Sequence, residues 1–205
     1  MIETSNEIEK MKMELNDEEG STTEEEEVDS IIEIARALAG NTLKLRNFAF
    51  KRLESFLLDT VGFMLDHETS LKVWKGLFFM LWHSDGFLAQ EQLCNRIGRL
   101  MGKFANIKNR MNFFQGAICI VNREWMGIDR LRMDKYMLVL RTLFRVSLNS
   151  LAENKWNMAH VDWFIGVLGC SPLQHQSQGS IIELFQHLSY RKLTLIFSIN
   201  TLAIY

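Results

Sequence analysis

The chain has 205 residues, 47% of them hydrophobic, which suffices for one buried core or at most two small ones. Its formal charge of −2 hides a division: residues 1–30 carry twelve acids and two lysines, leaving twenty-one basic and thirteen acidic side chains in residues 31–205. Cys94, Cys119 and Cys170 show no CxxC spacing and no apolar signal segment opens the chain, which argues against a secreted disulfide scaffold and predicts a reduced, intracellular protein. The longest apolar stretch, Leu193–Tyr205, is broken by polar residues and falls short of the roughly 18 needed to cross a bilayer, so no membrane span is expected.

Residues 1–30, with the run NDEEGSTTEEEEVDS, hold too few large apolar groups to repay the entropy of ordering and are expected to form a disordered acidic tail. A helical domain is expected over 31–170, where no proline interrupts the apolar periodicity before Pro172. In LKLRNFAFKRLESFLLD, Leu45, Ala49, Leu53 and Phe56 fall on one face, with Lys44 and Lys51 turned away. LKVWKGLFFMLW is apolar nearly all round and predicts a central helix. His83, Ser84, Asp85 and Gly86 then supply a turn containing a cap candidate. A helix over about 87–103 places Ala89, Leu93, Ile97, Leu100 and Phe104 on a core stripe and Arg96, Arg99 and Lys103 on a basic one. Met111, Phe114, Ile118, Val121 and Trp125 mark the next, which Gly127 breaks.

Asp129 is placed to cap a long helix whose inner face is Tyr136, Leu140, Leu143, Ser147 and Leu151, with Ile128 just before it. Trp156 to Leu168 suggests a shorter one. Five or six consecutive helices on short connections predict an all-α fold of stacked antiparallel helices, an α-solenoid of the HEAT/armadillo-like kind.

No catalytic, metal or cofactor site emerges. GRLMGKF (98–104) has three residues between its glycines where a phosphate loop has four, and it lies inside a predicted helix after no strand. The five histidines lack HExxH spacing, and no GxSxG elbow or glycine-rich dinucleotide loop occurs. His83 near Asp85 reads more readily as a turn residue than as an acid–base pair.

The charge cluster NREWMGIDRLRMDKY (122–136) invites two readings. Arg130 with Asp134, and Asp129 with Arg132, stand at intrahelical pairing distances, which makes part of it an ordinary solvated face. Arg141 and Arg145 lie four apart without an acid at i±4, and Arg123 precedes the turn, so an anion-facing ridge is the alternative. The tryptophans fall in the apolar phase of their helices and are expected to be core anchors.

Two blocks, LKVWKGLFFMLWHSDGFLAQEQL and NREWMGIDRLRMDKYMLVLR, resemble the ribosomal RNA processing protein 1 family, also called the Nop52 family. The first is matched at Trp74, Lys75, Gly76, Leu77, Phe78, Trp82, Ser84, Asp85, Gln90 and Glu91, and the second at Asn122, Arg123, Glu124, Trp125, Gly127, Ile128, Asp129, Arg130, Leu131, Arg132, Asp134 and Lys135. The similarity spans about residues 41–169. Met126 and Met133 replace the family's usual asparagine and leucine.

The resemblance implies a nucleolar, nonenzymatic factor that joins pre-60S particles and supports ribosomal RNA maturation, including that of an internal transcribed spacer. It implies assembly-factor partners and a role near pre-rRNA, with no cofactor, membrane or small-molecule substrate. The candidate contact residues are Arg96, Arg99, Lys103, Arg123, Arg130, Arg132, Lys135, Arg141 and Arg145, on ridges around buried Trp74, Trp82 and Trp125. Residues 171–205 depart from the family pattern and lack its basic extension, as an alternative transcript end or an imperfect gene model would produce. A general helical-repeat interaction module is the first rival; an enzyme with a dispersed site around His83 and Asp85 is the second.

Overall fold

The first helix, α1 (Glu24–Leu38), begins inside the segment expected to be a tail. In the computed structural model, residues 24–59 and 63–169 are described, and the expectations for residues 1–23 and 171–205 lie outside them. α2 (Leu43–Asp59), α3 (His67–Trp82), α4 (Phe87–Lys103), α5 (Ile107–Glu124), the 3₁₀ turn Trp125–Gly127, α6 (Arg130–Glu153) and α7 (Met158–Gly169) follow. Among the described residues the fold is all-α, with no strand. The chain divides after Trp156 into two compact units, the first holding α1 to α6 and the second α7.

Caps set the boundaries. Asp66 Oδ1 accepts from Thr69 N–H at the start of α3, Asn106 Oδ1 from Lys108 N–H at α5, and Asp129 Oδ1 from Arg132 N–H at α6. At α4 the cap position is Gly86, with φ +86° and no side-chain acceptor, so neither Ser84 nor Asp85 caps it. α6 ends where Lys155 and Trp156 take positive φ, which puts Trp156 in a turn and delays α7 to Met158.

Within the first unit, alternate helices pack side by side: α1 on α3, α3 on α5, α4 on α6. In the last two of these pairs the contacts rise together along the chain. Leu65 meets Asn109 and Ser70 meets Asn112 on α3–α5, while Cys94 meets Lys135 and Gly98 meets Thr142 on α4–α6. These pairs are therefore parallel. Consecutive α5 and α6 run antiparallel, since Arg110 near the start of α5 reaches Ser150 and Glu153 near the end of α6. This alternation is the packing of a helical-repeat solenoid.

Glycine permits the close approaches. A Cβ on Gly76 would lie 2.7 Å from Ala35 O and 2.8 Å from Ala35 Cα, and one on Gly98 would lie 2.6 Å from Thr142 Cγ2. The expected inner face of α6 is buried throughout. Leu93, Ile97, Leu100 and Phe104 are buried as their stripe predicts, but Ala89 is exposed because the first turns of α4 border an open groove.

Candidate nucleic-acid and partner interface

The two motif blocks meet at one end of the first unit, where α3 finishes and α6 begins. Lys75 Nζ lies 2.6 Å from Glu124 Oε1. Tyr136 stacks on Phe78 with ring centroids 4.6 Å apart, and its hydroxyl donates to Phe78 O at 3.0 Å. The Arg132 guanidinium sits 4.5 Å from the Trp82 ring centroid and pairs with Asp129.

Lys135 closes this junction. It is 2% exposed, and its ammonium donates to Leu81 O at 2.9 Å, Trp82 O at 3.0 Å and Ser84 O at 2.7 Å, with Asp85 Oδ1 4.0 Å away. The last carbonyls of a helix have no partners within it, so a cation placed there satisfies both their hydrogen bonding and the helix dipole. Burial pulls the Lys135 pKa below its ordinary value, with Asp85 opposing that shift. Burial also raises the Tyr136 hydroxyl.

This geometry redraws the predicted ridge. Lys135 is withdrawn into the interior and is not a surface contact. Arg132 is committed to Asp129 and Trp82, and Trp82 itself is half-buried rather than a core anchor. Arg96 lies 3.9 Å from the Phe50 ring centroid and 3.1 Å from Glu54 Oε2. Arg123 is exposed with its Nε 3.5 Å from the adjacent Glu124. Arg130 is exposed, and among the described residues it forms no ion pair with Asp134 or another acid. Of the remaining motif positions, Trp74 and Trp125 are buried, Asn122 is half-buried, and Asp85, Gly127 and Asp134 are exposed.

Arg99, Lys103, Arg141 and Arg145 remain. All four are exposed, and none has an ion pair among the described residues. They also share a face. Gly98 and Gly102 on α4 meet Thr142 and Val146 on α6. In two parallel right-handed helices, the residue after a seam position on one and the residue before it on the other turn to the same side. That side holds Arg99 and Lys103, Arg141 and Arg145, whereas Ile97 and Leu143 point into the core.

A groove of about 650 Å³ opens beside this face, lined in part by Arg46, His83, Asp85, Arg96 and Arg99. Burial lowers the Arg46 pKa, and its Nη1 donates to Gly40 O at 2.8 Å and Asn41 O at 3.0 Å. Sequence reading missed it because its partners lie across a loop and at His83 O, 3.4 Å away. His83 and Asp85 share the groove, but both are exposed and their side chains make no hydrogen bond to each other. Among the described residues no cluster of three His, Cys, Asp or Glu side chains is placed to hold a metal ion, and no helix is long and apolar enough to cross a membrane.

Comparison with known proteins shows the family to which the chain is similar. The family described as Nucleolar protein, Nop52 matches residues 29–189, wider at both ends than the span read from the two blocks and running through 171–189, part of the segment expected to depart from the family pattern. Human ribosomal RNA processing protein 1 homolog B is 37% identical over 152 residues, which cover 72% of this chain and 20% of the relative. Human ribosomal RNA processing protein 1 homolog A is 34% identical over 152 residues, 72% of this chain and 32% of the relative. The Drosophila melanogaster homolog is 29% identical over 148 residues, 71% and 22%. The chain thus spans between a fifth and a third of the length of these relatives. With its two signature blocks locked together and the match covering most of its length, the chain belongs to the Nop52 family of nucleolar proteins.

Proposed function

We propose that this chain is a nonenzymatic ribosome biogenesis factor of the nucleus and nucleolus. It acts as a scaffold in pre-60S particles and supports rRNA processing, including maturation of an internal transcribed spacer. Family membership and the relatives' names support the ribosomal half of this reading. The observation that carries the contact is the face bearing Arg99, Lys103, Arg141 and Arg145, four exposed cations with no ion pair among the described residues. Pre-rRNA is the partner proposed for it, because cations without carboxylate partners can neutralise phosphates and release the condensed counterions.

The test is affinity purification of the tagged chain from its own cells, with and without ribonuclease, probing for large-subunit precursor RNA and assembly factors. Recovery of both, with the RNA lost after Arg141→Glu and Arg145→Glu together, is the expected result. Recovery of unrelated complexes and no ribosomal precursor would instead favour a general helical-repeat interaction module.

A further inference from the structure

The groove beside α4 mixes two chemistries on its walls. Leu43 and Ala89 are exposed and supply aliphatic surface, while Met80 and Leu93 are buried beneath it. Arg46, Arg96 and Arg99 supply three guanidiniums against a single lining carboxylate, Asp85. The first two are fixed in place: Arg46 by the Gly40 and Asn41 carbonyls, Arg96 by Glu54 and the Phe50 ring. Arg99 stands exposed at the mouth without an ion pair among the described residues. The wall is thus held rigid in the unbound protein and presents one uncommitted fork, which lowers the ordering cost of binding. Its volume of about 650 Å³ falls in the range of ligand clefts, roughly 300–1,000 Å³.

We infer that this groove receives an acidic peptide segment of a partner protein that carries large aliphatic side chains. The aliphatic side chains would lie on Leu43 and Ala89, while carboxylates take the Arg99 fork bidentately and the outer edge of Arg96. Charge complementarity selects an acidic ligand. The aliphatic part of the wall favours peptide over RNA, because Leu43 and Ala89 offer a base no hydrogen bond and the one ring among the lining residues is the His83 imidazole. The site lies between α2 and α4 and shares Arg99 with the face proposed to meet RNA, so the two are told apart at Arg141 and Arg145, which do not line the groove.

The test replaces Ala89 by p-benzoylphenylalanine in the full chain, irradiates its own cells, and identifies the attached segment by mass spectrometry. The expected adduct is intermolecular, to a peptide of net negative charge containing Leu, Ile, Val or Met. Its yield should fall at least about fivefold with Arg99→Glu and stay within about twofold with Arg141→Glu, since only the first removes a groove contact. A ribonuclease-sensitive adduct, an intramolecular adduct to either end of this chain, a neutral or basic peptide, or no adduct from a folded chain would each overturn the inference. Loss of precursor RNA in the Arg141→Glu, Arg145→Glu purification with this adduct retained would show the two sites to be independent.

Discussion

At the junction of α3, α5 and α6, Lys75, Arg132 and Lys135 each meet a carboxylate, a ring or a set of carbonyls. On the outer side of the α4–α6 seam, Arg99, Lys103, Arg141 and Arg145 meet none of these among the described residues. Both regions are rich in arginine and lysine, yet the first uses its charge to hold the fold and the second leaves it available. What separates them is the partners within reach. Lys135 runs inward to helix-end carbonyls that need donors, and the half-buried Lys75 and Arg132 meet Glu124, Asp129 and the Trp82 ring, whereas the four cations beside the seam face water.

The largest expected effect breaks the first region. Lys135→Met keeps the apolar stem and removes the ammonium, which takes from Trp82 O its side-chain donor and from Leu81 O and Ser84 O the second of two donors, the Ser84 N–H and the Gln90 side-chain amide remaining. The expected cost is about 3 kcal/mol, which lowers the melting temperature by roughly 6–12 °C for a chain of this size. Thermal unfolding followed by circular dichroism measures it, and a loss under about 1 kcal/mol would mean that water reaches those carbonyls readily. A companion reporter is Cys94, 1% exposed, whose thiol burial pushes up to about 12 and whose Sγ lies 3.8 Å from Lys135 O. At pH 8 it should resist iodoacetamide in the native protein and become labelled in the variant.

Next in size is Gly76→Ala. The new methyl would meet Ala35 backbone, which cannot rotate away as a side chain can, so α1 and α3 must separate. Overpacking of this kind costs about 1–3 kcal/mol. Gly98→Ala meets only a methyl of Thr142 and should cost less, and the reverse ranking in denaturant unfolding would show that α1 yields more easily than Thr142 turns.

The legibility of each feature in the sequence follows the distance to its partners. Asp129 could be read as a cap because its acceptor serves a backbone three residues on. The inner face of α6 could be read because a buried stripe repeats with the helix. Lys135 could not, because its carbonyls lie 51 to 54 residues upstream and nothing local distinguishes it from Arg141. Arg96 was hidden in the same way by Glu54, 42 residues before it. Ala89 shows the complementary failure, since its periodicity matches a core stripe but among the described residues it is exposed beside the groove at the first turns of α4. Similarity of the motif blocks named residues of the junction without saying that the blocks meet there or that Lys75, Arg132 and Lys135 spend their charge internally.

A smaller effect separates charge from capping at Asp129. The Arg132 side chain is the main cause holding its carboxyl below the ordinary value, so the stability it adds is fully present above pH 3.8 and is lost as pH falls through the lower folded value. Asp129→Asn retains a cap acceptor and removes the ion pair. Unfolding curves collected from pH 6 downward should therefore converge between the native and variant proteins at the acid end, and curves that stay parallel would assign the whole contribution to the cap.

The smallest effect on stability tests the second region. Arg141→Glu and Arg145→Glu change exposed residues without ion pairs among the described residues, so each should shift stability by no more than about 0.5 kcal/mol. Their effect belongs to binding. If all four cations neutralise phosphates of single-stranded pre-rRNA, the slope of log affinity against log salt should be roughly −3, and the double variant should flatten it by about half while also weakening binding. Electrophoretic shifts with a large-subunit precursor fragment across a salt series measure both quantities. A double variant that kept the full slope would place the RNA contact elsewhere, on Arg123 and Arg130 at the rim of the junction, and would mean that cations beside the structural lock do the binding after all.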